Sequence, residues 1–438
     1  MTTTVGDLSK KSVEAFLARG GAQIITIICG IFIARVLGPA GKGVYSYVQA
    51  LMGVALGLAQ GQSVALSWQY GRKKLDPGVI YSGMLYIWAL ITLPLALITI
   101  LLAAWLPGQA PLIAIGIALP FGAYMIYTQG FFLADGHVRP VNIQLMIYSA
   151  GVTVVVLPLL VLKRINIDGV LAFWTISYMA AAVYSLYAIK KYLRFRISVP
   201  PWPIVKEQFT FGMKSALVQI ASLLNYRIDL FVILFMLGSK QMGVYSVAVG
   251  IGEALWFLSR PIATAAYGRI STDAEPQAAA LVAKCCRNTL WILCLAGAII
   301  FVAAPKLIAV VYGTPFLAAG DAVRLLIPGM IAYSVMPIFS TFINVQLGQP
   351  HVVSAIQAVS IVTCVVITVL TIHQLGIRAG AVATSITYVL GTLAAAVMFL
   401  RRTRLPGSAL FVMTLEDLRI YMALWLQLRH RFRQAVSL

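Results

Sequence analysis

The chain has 438 residues, of which 61% are hydrophobic and 11% are charged, yet its net charge is +20. A soluble protein with this much apolar sequence has too little polar surface to cover its core, and a disordered chain needs the opposite balance. The five cysteines form no C-x-x-C pair, which argues against a zinc site or a disulfide framework. The composition therefore leaves a multi-pass membrane protein.

Twelve apolar stretches are long enough to cross a membrane, which takes about 20 residues for roughly 30 Å of hydrocarbon. Each is predicted to be a helix, because lipid cannot satisfy exposed backbone groups and the stretches are too long for barrel strands. The predicted fold class is thus an all-α integral membrane protein with twelve transmembrane helices. The predicted limits are 12–37, 44–69, 79–105, 112–134, 141–162, 169–189, 209–237, 244–266, 287–304, 322–344, 353–373 and 380–400.

The Lys and Arg residues outside these spans are distributed unevenly across the membrane. On the side of the N-terminus there are 21, against seven on the opposite side. Cytoplasmic loops carry the excess of basic residues, so both termini are predicted to be cytoplasmic. The charges are spread over short loops and are not gathered on one face, so no nucleic-acid partner is expected.

Three sequence echoes relate the two halves of the chain. Residues 37–46 and 237–246 share six of ten positions. The other two echoes pair residues 70–76 with 267–273 and residues 167–178 with 377–388. With six spans each, the halves keep the same orientation, which predicts two six-helix lobes related by an axis along the membrane normal.

The predicted organisation follows from this repeat. An N-lobe (1–189) is joined by a basic, proline-containing cytoplasmic linker (190–206) to a C-lobe (207–400) and a cytoplasmic tail (401–438). In the tail, Thr414 is predicted to cap a helix with Asp417 three residues on. The apolar face of that helix is too short to span, so it is predicted to lie on the membrane surface as an amphipathic helix.

Residues 36–45, beginning Val36-Leu37-Gly38-Pro39, resemble the polysaccharide flippases of the multidrug, oligosaccharidyl-lipid and polysaccharide exporter superfamily. In these proteins a stretch of the form lGp.g.G.y closes the first helix hairpin. The resemblance extends to length, span number, repeat and short loops, and is strongest to the Wzx-type flippases.

This resemblance implies a transporter and not an enzyme, with no cofactor. The implied substrate is an undecaprenyl-pyrophosphate-linked oligosaccharide repeat unit, moved by alternating access from the cytoplasmic to the periplasmic leaflet of the bacterial inner membrane. The translocated repeat unit would be used to synthesise either the O-antigen of lipopolysaccharide or an exopolysaccharide. The implied partners are membrane lipids, a Na⁺ or H⁺ coupling ion and polysaccharide polymerase or other biosynthetic proteins.

Other transporters and enzymes remain as alternatives. A lipid II flippase and a multidrug exporter belong to the same superfamily, although lipid II flippases often carry two further helices and drug exporters favour an acidic cavity. A major-facilitator carrier would show G-x-x-x-D-R-x-G-R-R after its second span, where this chain has Gly71-Arg72-Lys73-Lys74. A lipid-linked glycosyltransferase needs an acid–base pair, whereas the four histidines are isolated.

Ionisable residues within spans are costly and are therefore candidate functional residues. Arg227 and Glu253 lie roughly 15 and 14 Å into consecutive spans. Arg227 is predicted to bind substrate and to pair with Glu253, or with the neighbourhood of Asp229, across the cavity wall of the second lobe. The alternative is that this pair only fixes helix packing. The acidic residues predicted to bind a coupling ion or to pair with a charge are Glu14, Asp229 and Glu253.

A second group of cations lies nearer to the cytoplasm. Arg19 lies roughly 27 Å from Leu37, and Arg260 lies roughly 24 Å from Val244, the ends of their predicted spans on the periplasmic side. With Lys214 they are predicted to form a cationic vestibule for a pyrophosphate at the cytoplasmic mouth of the cavity. The reason is that one guanidinium group can bind two phosphate oxygens at once. Interfacial snorkelling explains the same residues without a function, most readily Lys214. Pro261 is predicted either to form a hinge or to mark a tolerated helix end.

Overall fold

The computed structural model describes residues 5–106, 108–162, 164–193, 198–414 and 417, with the backbone alone for residues 5–19. Within these residues every regular element is helical, and ten helices are long and apolar enough to cross a membrane. These findings confirm an all-α, multi-pass membrane fold. The helices are α1 (Val5–Gly71), α2 (Pro77–Trp105), α3 (Leu112–Ala134), α4 (Val138–Val161), α5 (Ile167–Tyr192), α6 (Trp202–Ala254), α7 (Trp256–Thr272), α8 (Glu275–Val311), α9 (Ala319–Tyr333), α10 (Met336–Thr341), α11 (Pro350–Leu375) and α12 (Ile377–Thr403).

Two helices are much longer than a bilayer is thick. From Gly20 to Gly71, α1 has 52 residues, and α6 has 53, or about 80 Å each at 1.5 Å per residue. Each leaves helical geometry at one glycine, Gly38 (φ 67°, ψ −171°) and Gly238 (φ 83°, ψ 174°). Since glycine adopts positive φ without strain, each long helix consists of two segments. If α1 and α6 each cross the membrane twice, the ten long helices give twelve transmembrane spans, the number expected from the sequence. That number of spans stays a prediction.

The sequence echoes occupy equivalent places in the backbone. Gly38 and Gly238 belong to the first echo and share nearly the same conformation. In the third echo, Ile167 is the first residue of α5 and Ile377 is the first residue of α12. The repeat read from the sequence therefore corresponds to a repeat of local structure.

The chain divides into two compact units. Unit 1 comprises Met1–Ser246 and Leu307–Ala318, and unit 2 comprises Val247–Lys306 and Ala319–Leu438. In unit 1, α1 to α5 enclose a core rich in large buried side chains, among them Trp174. In unit 2, α12 packs against α9 and α11. The predicted lobe limits at residues 189 and 207 stay predictions.

Within unit 1, the loops at the breaks of α1 and α6 contact each other reciprocally. A Cβ on Gly43 would lie 1.8 Å from a backbone oxygen of the facing loop, and a Cβ on Gly243 would lie 1.9 Å from one. The Ser46 hydroxyl donates to the Ser246 hydroxyl at 3.0 Å. Equivalent residues of the repeat thus meet each other, as residues do across a local two-fold axis.

The second segment of α1 continues to pack closely on α6. A Cβ on Gly61 would lie 2.3 Å from the Ala216 backbone nitrogen, and Gly57 faces Ile220. The Gln62 side-chain amide donates to the Phe209 carbonyl at 3.4 Å. Such close approach of two helices in a membrane depends on small residues at the contact. Gln62 therefore joins the two helices.

The cytoplasm-predicted end of the same helix pair is held by aromatic and charged side chains. Trp68 and Phe211 stack with ring centroids 4.9 Å apart. Lys73 Nζ lies 4.6 Å from the Trp68 ring centroid and pairs with the Glu207 carboxylate. α1 and α6 are thus joined at the loops, along the membrane segment and at this end.

In unit 2, Asp417 is buried against α8. Its carboxylate accepts from Arg287 Nε at 2.6 Å and from Asn288 Nδ2 at 2.9 Å. The Thr414 amide donates to it at 2.9 Å, and the Asp417 amide approaches the Thr414 hydroxyl at 3.4 Å. The predicted cap at Thr414 therefore has its reciprocal hydrogen bonds, whereas the amphipathic helix predicted beyond it lies outside the described residues.

The segment before Asp417, residues 405–414, runs over α8 and is here called the strap. Arg287 also donates to the Ala409 carbonyl at 2.8 Å, and Trp291 Nε1 donates to the Phe411 carbonyl at 2.8 Å. Arg287 is the first residue of the predicted span at 287–304, but the helix itself starts twelve residues earlier. α8 begins at Glu275, because a helix continues through polar turns that a hydropathy average does not include.

The contact at Gly61 gives a test of the helix packing. Gly61→Ala should destabilise the protein by about 1–3 kcal/mol, because the added methyl overlaps backbone atoms. Gly53→Ala is the matched control on the same helix, since nothing lies within 4 Å of its Cβ position. Thermal unfolding in detergent, followed by tryptophan fluorescence, measures the difference, and equal melting temperatures would contradict the close contact.

The strap gives a second test. Burial alone would raise the pKa of the Asp417 carboxyl, but hydrogen bonds from Arg287, Thr414 and Asn288 outweigh it and hold the pKa well below its usual range. A carboxyl with a lowered folded pKa stabilises the fold above its unfolded pKa near 3.9, and this contribution is lost only as the pH falls through the folded value. Strap attachment should therefore not change between pH 8 and about pH 5.

Asp417→Asn should weaken the attachment at neutral pH, because it leaves Arg287 buried without its counter-charge. Strap amides should exchange hydrogen at least about tenfold faster, since losing one partner of a buried pair costs roughly 3–5 kcal/mol. Glu275→Gln is the control, since Glu275 forms a more exposed pair with Arg402. Equal exchange in the two variants would show that the buried pair does not hold the strap.

Candidate functional site

The structure describes the side chains of five of the seven candidate residues. Those of Glu14 and Arg19 lie outside the described residues. Lys214, Arg227 and Asp229 lie on α6 within unit 1, whereas Glu253 and Arg260 belong to unit 2. The predicted partners Arg227 and Glu253 are thus assigned to different units, and their pairing stays a prediction.

Asp229 is held inside unit 1 by a residue of the repeated motif. Its side chain is 3% exposed and accepts a hydrogen bond from the Tyr245 hydroxyl at 2.6 Å. The bond joins the two segments of α6 on either side of Gly238. Arg227, two residues before Asp229, is half-buried and lies on a different face, as expected when two residues turn a helix by about 200°.

Lys42, one of the seven basic residues counted on the side opposite to the N-terminus, lies where α1 resumes after Gly38, and its side chain is half-buried. Its Nζ lies 3.6 Å from the Cβ position of Gly30 and 5.7 Å from the Tyr45 ring centroid. Gly30 lies eight residues before the break at Gly38, about 12 Å along the helix. The Lys42 side chain therefore runs back along the first segment of α1, within electrostatic range of Arg227.

Two local features account for the direction of Lys42. It lies in the first turn after the break at Gly38, and helical side chains lean toward the N-terminus of their own helix. Gly30 has no side chain to occupy the space that the ammonium group reaches. The position of Lys42 in the repeated motif, directly after a glycine break, was the signal in the sequence that could have identified it.

Arg35 caps the end of another helix. Its guanidinium donates to the carbonyl of Val310, at the end of α8, and both residues belong to unit 1. The last carbonyls of a helix have no partner within the helix, so a cation there satisfies one of them.

Arg260 lies on the surface of unit 2, with its guanidinium 5.7 Å from the Trp256 ring centroid. Trp256 is buried and donates to the Met330 carbonyl at 3.1 Å. α7 continues through Pro261, and the helix interruption lies at Leu255 instead. The Arg260 side chain is therefore positioned by its contact with the Trp256 ring and not by a helix kink at Pro261.

The tyrosines of the third echo form equivalent aromatic clusters. In unit 1, Tyr178 lies 4.5 Å from Tyr148 and 5.0 Å from Trp174 between ring centroids. In unit 2, Tyr388 stacks on Tyr333 at 4.3 Å and lies 6.3 Å from Trp256. These clusters place Trp256, and with it Arg260, on a fixed aromatic base.

The arrangement in unit 1 is suited to an anion. Lys42 and Arg227 place two positive charges within electrostatic range of each other inside unit 1. Among the described residues, no three His, Cys, Asp or Glu side chains are placed to hold a metal ion. Ammonium and guanidinium groups are the usual protein ligands for phosphate oxygens.

Comparison with solved structures identifies the fold. The lipid II flippase MurJ, in an inward closed conformation, aligns with a TM-score of 0.75 and 13% identity over 95% of this chain and 93% of that chain. An inward-facing multidrug resistance MATE family transporter of the MOP superfamily aligns with a TM-score of 0.70 and 14% identity over 87% and 94%. A MOP superfamily transporter from Pyrococcus furiosus, with a binding pocket described as reversed in polarity, aligns with a TM-score of 0.63 and 14% identity over 90% and 94%.

The sequence comparisons identify the family. No curated protein matches the chain. Residues 8–272, more than half of the chain, match the family described as polysaccharide biosynthesis protein. The resemblance to the Wzx-type polysaccharide flippases is thereby confirmed at the level of the family. The chain belongs to the polysaccharide biosynthesis protein family and has the helical fold of the MOP superfamily transporters.

Proposed function

We propose that the protein is a flippase for an undecaprenyl-pyrophosphate-linked oligosaccharide repeat unit. It moves this lipid from the cytoplasmic to the periplasmic leaflet of a bacterial inner membrane by alternating access, for O-antigen or exopolysaccharide synthesis. Twelve spans with both termini in the cytoplasm are part of the proposal. The observation that carries it is the Lys42 ammonium, which lies over Gly30 and within electrostatic range of Arg227 in a member of the polysaccharide biosynthesis family.

The sign of the charge within unit 1 supports an anionic cargo. A pyrophosphate that leaves the headgroup region loses its counterions, and fixed cations can replace them. Lys42 and Arg227 supply such cations. The acid on the same helix, Asp229, accepts a hydrogen bond from Tyr245 and is buried. This balance favours a flippase over a multidrug exporter, which needs acidic groups for cationic drugs.

Arg19, Arg260 and Lys214 are proposed to receive the pyrophosphate on the cytoplasmic side. Arg260 is exposed and supported by Trp256, so its guanidinium can meet a ligand without first leaving a buried pair. Lys214 is exposed on α6, which also fits an interfacial anchor. The vestibule therefore depends mainly on the two arginines.

The lipid II flippase is the second candidate, because the fold of MurJ aligns with nearly the whole chain. The two functions differ in the headgroup attached to the lipid pyrophosphate, so the cationic residues fit both. Complementation distinguishes them. Rescue of a strain that lacks its repeat-unit flippase, but not of one that lacks its lipid II flippase, would support the first candidate.

In that complementation assay, Lys42→Ala and Arg227→Ala should each lower polysaccharide output at least about tenfold, because one lost phosphate contact in a low-dielectric site costs roughly 1.5–3 kcal/mol. Lipid-linked repeat units should accumulate. Lys240→Ala is the matched control, since Lys240 is an exposed lysine of the facing loop. Equal output from Lys42→Ala and Lys240→Ala at equal expression would contradict the role of Lys42.

The same assay tests the vestibule. Arg19→Ala and Arg260→Ala should each reduce output, while Arg260→Lys should recover part of it if charge alone attracts the lipid. Unchanged output in both alanine variants at normal expression would reject the vestibule and leave the Lys42–Arg227 site standing.

Energy coupling is proposed to involve the membrane potential acting on the cationic site, with Glu14, Asp229 or Glu253 binding H⁺ or Na⁺. Moving one charge across 100 mV changes the free energy by about 2.3 kcal/mol, so the potential should alter the flipping rate. Proteoliposomes with imposed gradients measure this. A rate that responds to neither potential nor cation gradients would reject the coupling.

A further inference from the structure

Unit 2 contains an apolar cavity of about 220 Å³ beneath the strap, here called the strap pocket. Its lining comes from α8, α9, α10, α12 and the strap. Cys286, Phe339 and Leu410 form a buried floor, whereas Leu393 and Phe411 are 48% and 54% exposed at the rim. The pocket is therefore closed at its base and open at one side.

The open side faces the apolar surface of unit 2. On α12, Leu390 and Val397 flank Leu393 and are also exposed, and on α8 Trp291 and Leu295 are exposed. In a membrane-spanning helix, a continuous exposed apolar face contacts lipid chains. The strap pocket thus opens toward hydrocarbon and not toward water.

The size and lining of the pocket fit part of an aliphatic chain. An apolar cavity of roughly 150 Å³ takes a benzene-sized ligand and stays free of water. Among the lining residues, the one hydroxyl is that of Thr392, which has no hydrogen-bond partner within the described structure. A water molecule needs two to four polar partners, so a lipid chain fills this space better than water does.

The helix end beside the pocket is basic. Arg401 and Arg404 are exposed and begin five residues after the pocket residue Ala396, about 8 Å along α12. Nearby, Arg287 and Arg402 are already paired with the carboxylates of Asp417 and Glu275. Arg401 and Arg404 therefore add net positive charge at the level where a lipid chain meets its headgroup, and such charge attracts anionic phosphate.

We propose that the strap pocket binds one acyl chain of an anionic phospholipid, with the lipid phosphate beside Arg401 and Arg404. The small volume accommodates the end of one chain, and the opening on the lipid-facing surface gives bulk phospholipid direct entry. The site does not depend on the identity of the transported substrate, and it lies wholly within unit 2. A bound lipid there would support the strap from below, since Leu410 and Phe411 belong to both.

The test uses the full chain reconstituted in vesicles of equal phosphatidylglycerol and phosphatidylcholine, then analysed by native mass spectrometry for retained lipid. Val389→Trp places a large side chain at the half-buried rim and should lower retention roughly tenfold. Ala396→Phe fills the pocket itself and should act in the same direction. Leu390→Phe is the matched control, because Leu390 lies on the same helix but outside the lining.

Wild type and Leu390→Phe should retain one phosphatidylglycerol, and Arg401→Ala with Arg404→Ala should retain lipid without preference for phosphatidylglycerol. Gel filtration confirms folding, and Val389→Trp decides the outcome if Ala396→Phe does not fold. Equal retention in Val389→Trp and Leu390→Phe would overturn the proposal. Recovery of polyprenyl phosphate in place of phospholipid, from vesicles that contain both, would also overturn it.

Discussion

The close approach of α1 and α6 is the constraint on which unit 1 depends. At Gly43, Gly61 and Gly243 the backbones lie so near each other that a single methyl group would overlap main-chain atoms. In lipid, where apolar burial gives no net driving force between helices, such close packing and the hydrogen bonds it permits supply the attraction. The stacked rings of Trp68 and Phe211 then hold the far end of the same pair.

This packing also determines what the charged residues can do. The break at Gly38 begins a new helical segment, and the first turn of that segment directs Lys42 back over Gly30. The break at Gly238 lets Tyr245 reach Asp229 from the other part of its own helix. The positive and negative groups of unit 1 are therefore placed by two glycines that carry no chemistry themselves.

Much of the fold could be predicted because hydropathy reports the free energy of placing a stretch of residues in lipid. The predicted span at 112–134 coincides with α3, and the span at 79–105 differs from α2 by two residues at its start. The hydropathy average does not report which side chains bind each other. It gave no sign of the bond between Arg287 and Asp417, because the two residues lie 130 positions apart in the sequence.

The site was predictable to a smaller extent for a related reason. Arg227 and Asp229 could be found, because an ionisable residue in the middle of an apolar span stands out by its cost. Lys42 does not stand out by this criterion, because it lies near a helix end, and only its place after the glycine break of the repeated motif marks it. The Lys42 side chain points into the protein because of the backbone direction after Gly38 and the space left by Gly30.

The meeting of Ser46 with Ser246 separates what the two halves share from what they do not. The hairpins keep Gly-Val-Tyr-Ser at 43–46 and at 243–246, where they touch, and diverge just before it. At the position of Lys42 the second half carries Met242, which is buried. The glycine break is thus present in both hairpins, whereas the lysine of the second hairpin, Lys240, is exposed and stands at a different position. A charged ligand that reached the two hairpins would therefore meet similar backbone but differently placed positive charge.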